Sequence, residues 1–169
     1  MINYLDIENN IVIIEGKYVD PSTTTHEQIL YSKLAVLEFC GWIEESLDQI
    51  LKDYLIPRVS APNQTYVDKN IIKKNSGFEY ERYTRRMFCS VLGIKNLEIV
   101  ETTLNGYGGQ ITTLESMLSS YTTIRNNAAH NSTPVGTTLI FNAPSIVLSH
   151  FRSIKPIISD LETTVSCLP

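Results

Sequence analysis

Cysteine and histidine are both scarce in this chain of 169 residues, which contains three of each. Cys40, Cys89 and Cys167 are an odd number without C-x-x-C spacing, so the sequence predicts neither a disulfide framework nor a zinc site. The histidines are far apart, and no carboxylates cluster around them. We therefore expect no metal ion and no other cofactor.

Long apolar runs are also missing. A helix needs roughly 18 or more consecutive apolar residues to span a membrane, and no run in this chain approaches that length. The N-terminus lacks the basic segment and the apolar segment of a secretory signal peptide. These absences predict a cytoplasmic protein with no membrane partner.

The sequence has no phosphate-binding glycine motif and no G-x-S-x-G turn, which argues against a P-loop enzyme and a serine hydrolase. Its hydrophobic content of 43% is enough for the core of a globular domain. Apolar residues recur mostly at spacings of three and four, which predicts an all-α bundle of about five or six helices. Residues 1–21 are the exception, because their β-branched residues favour a short hairpin or an extended arm.

A long helix is predicted after this arm. Thr24 and Glu27 have the spacing of a capping box, the apolar positions from Ile29 to Tyr54 include Leu30 and Leu34, and Pro57 stops the helix. Phe39 and Trp42 lie at the edge of the apolar stripe. We interpret these two aromatic residues as core or dimer contacts in preference to a surface on which bases stack.

The net charge of −4 argues against a protein that coats nucleic acid by charge alone. However, residues 52–95 carry 9 basic and 4 acidic side chains, whereas residues 1–51 carry 9 acidic and 2 basic ones. Such a segment can bind phosphates, or its cations can pair with Glu79, Glu81 or carboxylates of the long helix. The candidate RNA-binding residues are Lys73, Lys74, Arg82, Arg85 and Arg86, on two helices predicted on either side of a break at residues 75–77.

The stretch from Tyr121 to His130 reads Y-T-T-I-R-N-N-A-A-H and ends a predicted amphipathic helix. Its buried face is predicted to contain Ile111, Leu114, Met117, Leu118, Tyr121, Ile124 and Ala128. Arg125 lies beside this stripe, and a guanidinium there needs an anion or several acceptors. On an ideal helix the side chains of Arg125 and His130 diverge by roughly 140°. Either the helix ends at Ala129, so that His130 turns back, or a second copy of the chain completes the site.

The R-x-x-x-x-H spacing, with Asn126 after the arginine and Ala129 before the histidine, resembles the signature of the HEPN superfamily of helical domains. The resemblance covers residues 22–169, and the order of the elements looks most like the RiboL-PSP type. It implies a HEPN-like helical domain after an N-terminal arm of residues 1–21. It also implies an RNA-cleaving toxin or antiviral defence effector that a partner protein, such as an antitoxin, controls.

A catalytic site for metal-independent RNA cleavage is predicted at Arg125, Asn126 and His130. An imidazole can exchange a proton at the ribose 2′-hydroxyl or at the leaving oxygen, and a guanidinium can neutralise charge that builds on the phosphate. The amide of Asn126 would orient the phosphate or the histidine. Two other interpretations stay open: a catalytically silent module that binds RNA or a nucleotide, and a structural helical subunit with an ion-paired Arg125.

A homodimer is the expected working form. In-line transphosphorylation needs an acid and a base on opposite sides of the phosphate, and each chain offers one credible histidine, His130. A two-fold pair would supply both from two copies. Some HEPN toxins have a tyrosine two positions after the histidine, which an antitoxin modifies with a nucleotide. This chain has Ser132 there, so we expect no such modification at this position.

Overall fold

A computed structural model describes residues 2–75, 77–136 and 140–169. Within these ranges the chain forms seven α-helices and two π-helical turns and contains no strand, which confirms the all-α prediction. The elements are, in order, α1 (Leu5–Tyr18), α2 (Thr25–Leu55), α3 (Ala61–Val67), the first π-helical turn (Asp68–Ile72), the second π-helical turn (Tyr80–Thr84), α4 (Arg85–Leu92), α5 (Ile94–Gly106), α6 (Gln110–His130) and α7 (Pro144–Ser166).

The N-terminal segment forms a helix, so the prediction of a hairpin or an extended arm is wrong. The side-chain oxygen of Asn3 accepts hydrogen bonds from the backbone N–H groups of the first turn of α1, at 3.2 Å each. Ile7, Ile11 and Ile14 are buried on one face of the helix. β-Branched residues disfavour a helix only weakly, by a few tenths of a kcal/mol each, so burial of three isoleucines on one face outweighs them.

The predicted capping box begins α2. The Thr24 hydroxyl and backbone N–H both donate to Glu27, at 2.7 and 2.8 Å, and the Glu27 N–H donates back to the Thr24 hydroxyl at 3.3 Å. These bonds satisfy backbone donors that have no partner inside the helix. α2 ends at Leu55, two residues before Pro57, as predicted.

The buried face of α2 differs from the predicted one in its first half. Leu30 and Leu34 are 41% and 42% exposed, whereas Phe39 and Trp42 are buried. Phe39 and Trp42 are thus core residues, which confirms one of the two interpretations given for them. Periodicity identified the helix, but a stripe of three- and four-residue spacings can be drawn along more than one face of it.

Two compact units make up the chain. One unit, called here the motif unit, comprises residues 3–43 and 121–155, and the other, the basic unit, comprises Ile2 with residues 44–120 and 156–169. The motif unit has an aromatic core in which the ring of Phe39 lies 4.9 Å from that of Tyr121, and the ring of Trp42 lies 4.9 Å from that of Phe151, both edge to face. Such pairs add stability beyond the area that they bury.

In the basic unit, Arg58 fastens the C-terminal end of the chain. Its guanidinium lies 4.1 Å from the centre of the Tyr54 ring. It donates to the Tyr54 carbonyl at 3.0 Å and to the carbonyl of the buried Leu168. Arginine suits this position because its planar group can stack on a ring and donate several hydrogen bonds together.

The two short helices predicted within residues 65–92 are each partly replaced by a π-helical turn. The predicted break between them spans residues 75–77, of which Ser76 lies outside the described residues. α7 continues through Pro156. None of the helices in the described ranges has both the length and the apolar content to cross a membrane.

Candidate functional site

α6 carries the R-x-x-x-x-H motif in its last two turns. Gly108 and Gly109 precede it with positive φ angles of 91° and 78°, a conformation that glycine adopts at little cost. Five of the seven predicted apolar positions are buried, and Met117 and Ile124 are half-buried. The helix includes His130 as its last residue, and the Asn131 N–H still donates to the Asn127 carbonyl at 3.1 Å.

This helical geometry excludes one of the two arrangements expected for the motif. Because the helical hydrogen bonds continue past His130, the helix does not end at Ala129, and His130 does not turn back toward Arg125. The two side chains leave the helix axis in directions that differ by roughly 140°. Asn126 and His130, four residues apart, share one face. One face of α6 alone therefore cannot form a site that uses both Arg125 and His130.

The three motif side chains differ in exposure and contacts. Arg125 is half-buried, whereas Asn126 and His130 are exposed. Arg125 donates from Nη1 to the side-chain oxygen of Asn126 at 3.4 Å, which is a long hydrogen bond. The amide of Asn126 thus contacts the guanidinium, and its predicted role of orienting a phosphate or the histidine stays a prediction.

Lys33 of α2 is a charged residue at this site that the sequence analysis did not identify. Its ammonium donates to the Asn131 carbonyl at 2.8 Å and to the Thr133 hydroxyl at 3.3 Å. The Asn131 carbonyl lies at the C-terminal end of α6, where a cation is favourable. Lys33 fixes the chain directly after His130. No local signal predicts a contact between residues 98 positions apart.

His150 of α7 also has a contact that was not predicted. Its Nδ1 lies 2.8 Å from the hydroxyl oxygen of Tyr121, and the two rings meet edge to face. Burial raises the pKa of Tyr121 to about 12, so the phenol keeps its proton at neutral pH. Tyr121 lies one turn before Arg125, and this contact fixes the face of α6 from which Arg125 emerges.

The five candidate RNA-binding residues fall into two groups, and the first is ion-paired. Arg85 donates to Glu101 of α5 at 2.7 and 3.2 Å, and Glu101 also accepts from the buried Tyr80 at 3.0 Å. The contact with Glu101 raises the pKa of Arg85. Lys73 lies 2.7 Å from Asp68 and lowers the pKa of that carboxyl. The alternative interpretation, pairing with carboxylates, thus describes Arg85 and Lys73. The predicted partner Glu81 lies 3.8 Å from Arg85, whereas Glu101 and Asp68 were not predicted as partners.

The second group, Lys74, Arg82 and Arg86, lines one pocket of about 330 Å³ in the basic unit. The remaining lining residues are Asn70, Ile71, Asn75, Tyr83, Met87 and Ser90. Among the residues that the structure describes, no carboxylate lines the pocket. Within the described part of the chain, none of its three cations has a carboxylate partner.

The described residues contain no cluster of three or more histidine, cysteine, aspartate or glutamate side chains that could hold a metal ion. Comparison of the chain with protein-family models, curated proteins and solved structures finds no match. The resemblance to HEPN domains therefore stays a prediction from the motif residues.

Proposed function

We propose that this protein is a metal-independent endoribonuclease of HEPN type, with Arg125 and His130 as its catalytic residues. The observation that carries the proposal is the position of the motif: His130 is exposed at the end of α6, five residues after a half-buried Arg125. An exposed imidazole can reach a phosphodiester. A partly desolvated guanidinium interacts with a phosphate more strongly than one in bulk water.

The proposed reaction needs only side-chain chemistry. A histidine takes the proton from the ribose 2′-hydroxyl, whose oxygen then attacks the adjacent phosphorus atom, and a second proton donor protonates the leaving 5′-oxygen. The guanidinium of Arg125 neutralises the charge that develops on the phosphate oxygens. The products are a 2′,3′-cyclic phosphate and a 5′-hydroxyl, and DNA is no substrate because it lacks the nucleophile.

A two-fold dimer is part of the proposal, because the directions of Arg125 and His130 diverge on α6. If the α6 helices of two copies face each other across a two-fold axis, Arg125 of one copy can approach His130 of the other. The same symmetry supplies two histidines, one as the base and one as the acid. Light scattering should then give about twice the chain mass of 19.1 kDa.

Cleavage of mixed RNA in EDTA tests the activity. The wild type should cleave and leave cyclic phosphate ends, whereas His130→Ala and Arg125→Ala should each be at least about 100-fold slower, the loss typical of a missing proton carrier or charge stabiliser. Thr112→Ala, at an exposed position in the first turn of α6 and far from the motif, is the matched control and should cleave normally. Cleavage that EDTA abolishes and Mg²⁺ restores would contradict the mechanism. RNA binding without cleavage would instead support the catalytically silent module.

Mixing the two inactive variants tests the composite site. In a dimer that pairs Arg125 of one copy with His130 of the other, half of the dimers in an equimolar mixture are mixed, and each of these keeps one Arg125 and one His130. The mixture should recover little activity if both histidines are needed as base and acid, but up to about a quarter of the wild-type activity if one intact half-site suffices. No recovery would mean that both residues act within one chain or that both half-sites must be intact. A monomer that cleaves RNA at a rate linear in its concentration would refute the composite site.

A further inference from the structure

The pocket in the basic unit brings together three cations that are apart in the sequence. Lys74 follows the first π-helical turn, Arg82 belongs to the second, and Arg86 belongs to α4. Their neighbours Lys73 and Arg85 have carboxylate partners at 2.7 Å, whereas these three have none within the described ranges. Three like charges around one cavity repel each other, so an anion is the complementary ligand.

The volume and the uncharged lining limit what this anion can be. About 330 Å³ lies at the small end of the range of about 300–1,000 Å³ that is usual for small-molecule sites. The lining includes the side-chain amides of Asn70 and Asn75, the hydroxyl of Ser90 and the ring of Tyr83. Amides can donate to and accept from the edge of a base, and a tyrosine ring can stack on its face.

The Tyr83 ring is held in place by its neighbours. A Cβ atom added to Gly77 would lie 2.1 Å from this ring, so the ring packs directly on the glycine backbone. The guanidinium carbon of Arg82 lies 5.3 Å from the ring centre. A ring fixed in this way loses little conformational entropy when a ligand stacks on it.

Both π-helical turns contribute to the lining, with Asn70 and Ile71 from the first and Arg82 and Tyr83 from the second. A π-helical turn inserts a residue into the helical repeat and so redirects the side chains after it. Such turns are frequent at functional sites. Two of them on one pocket are a second observation, independent of charge, that indicates a binding site.

We propose that this pocket binds one nucleotide unit, with its phosphate on Lys74, Arg82 and Arg86 and its base against Tyr83. The ligand chemistry is that of a phosphate joined to a planar base, either as a free nucleotide or as one unit of a single-stranded RNA. The proposal does not depend on the ribonuclease activity, because no residue of the pocket belongs to the motif unit.

Calorimetric titration of the whole chain in EDTA tests the site, with adenosine monophosphate, inorganic phosphate and adenosine as probes. The monophosphate should bind in the micromolar to millimolar range, phosphate more weakly, and adenosine most weakly. The double variant Arg82→Gln, Arg86→Gln should bind the monophosphate at least about tenfold more weakly, since it loses charged hydrogen bonds to the phosphate. Lys69→Gln with Lys95→Gln removes the same charge at two exposed positions outside the pocket and should bind normally.

Two further measurements keep the test decisive. Tyr83→Leu should weaken the monophosphate roughly 5- to 150-fold, as loss of a stacked base does, while the affinity for phosphate stays the same. If the arginine pair fails to fold, Lys74→Gln takes its place, with Lys69→Gln as its control. Comparing the affinity for a trinucleotide RNA with that for the monophosphate shows whether the ligand is a unit of RNA or a free nucleotide. Preference for either one supports the site.

Three results would overturn the proposal. The first is that the wild type does not bind the monophosphate at millimolar concentration. The second is an equal loss of affinity in the pocket variants and the control variants, and the third is an unchanged affinity for the monophosphate in Tyr83→Leu. RNA cleavage measured on the same variants separates the two proposals. Loss of the nucleotide site with cleavage intact on a short substrate would leave the ribonuclease proposal standing, and the reverse result would leave the pocket standing.

Discussion

The motif end of α6 and the pocket of the basic unit both contain basic side chains, but the two regions arrange them in opposite ways. In α6, Arg125 and His130 are close in sequence but diverge in direction because the helix is regular through His130. In the pocket, Lys74 and Arg86 are 12 positions apart in the sequence but line the same cavity. Proximity in sequence therefore does not measure whether two side chains can act on one ligand.

A second contrast lies within the basic segment itself. Arg85 and Arg86 are adjacent residues of one type, yet Arg85 is bonded to Glu101 and Arg86 lines the pocket. Consecutive positions on a helix differ by about 100°, so one faces α5 and the other faces the cavity. Charge counts treat these two arginines alike, whereas the structure assigns one to ion pairing and the other to the pocket.

RNA binding should separate these arginines most strongly. For single strands, each lost phosphate contact makes the negative slope of log affinity against log salt shallower by about 0.7. We expect Arg82→Gln with Arg86→Gln to make the slope shallower by up to about 1.4 and Arg85→Gln to leave it unchanged. Filter binding between 50 and 300 mM salt measures both slopes. Equal slopes for Arg85→Gln and for the double variant would remove the distinction between paired and pocket arginines.

Stability should distinguish the ion-paired Arg85 from the two pocket arginines in the opposite sense. Glu101→Gln should lower the free energy of unfolding by about 1–3 kcal/mol, because Arg85 loses its charged acceptor and the buried Tyr80 hydroxyl loses its carboxylate partner. Glu98→Gln, at an exposed position of α5, is the control. Urea unfolding gives both values. A Glu101→Gln protein as stable as the control would show that this ion pair contributes nothing measurable.

Asp48 offers a pH-dependent test of charge crowding in the basic unit. Burial, assisted by the carboxylates of Glu44, Asp68 and Glu45 and opposed by Lys52, raises its pKa from an ordinary 3.8 to about 6. The folded state thus holds a proton that the unfolded state has already lost, and stability falls as pH rises from about 4 to about 6.

Asp48→Asn removes this titration. It should raise the free energy of unfolding by on the order of 1 kcal/mol at pH 7, a value reduced for solvent screening because the carboxyl is only half-buried. It should have little effect at pH 4. Glu115→Gln, at an exposed position of α6 away from Asp48, serves as the control. Thermal unfolding at the two pH values measures the difference, and an equal gain at both would assign the effect to packing.

Lys33→Met should produce the smallest change, a loss of about 0.5–1 kcal/mol of stability, because the C-terminal carbonyls of α6 lose their cation. Lys95→Met, at an exposed position in the first turn of α5, where a cation does not stabilise the helix, is the control. If Lys33 also fixes the position of His130, RNA cleavage should fall several-fold in the same variant. A normal cleavage rate together with lowered stability would limit Lys33 to a structural role.

Much of the secondary structure could be predicted from local patterns. The Thr24 capping box, the end of α2 before Pro57 and the apolar face of α6 all appear as the sequence predicts. These features depend on contacts within one or two helical turns, so residues that are close together in the sequence are enough to predict them. The N-terminal helix was missed because three buried isoleucines on one face of α1 outweigh the β preference of the segment.

The local sequence therefore determined most of the helices, the cap of α2 and the position of the motif on α6. The tertiary structure alone decided the partners of the charged groups: Glu101 for Arg85, Asn131 for Lys33 and a shared pocket for Arg82 and Arg86. The physical reason is the separation in sequence between the groups that interact. A cap or an apolar stripe is set by hydrogen bonds and spacing within a few residues, whereas an ion pair or a pocket depends on which helices pack together, and no local pattern specifies that.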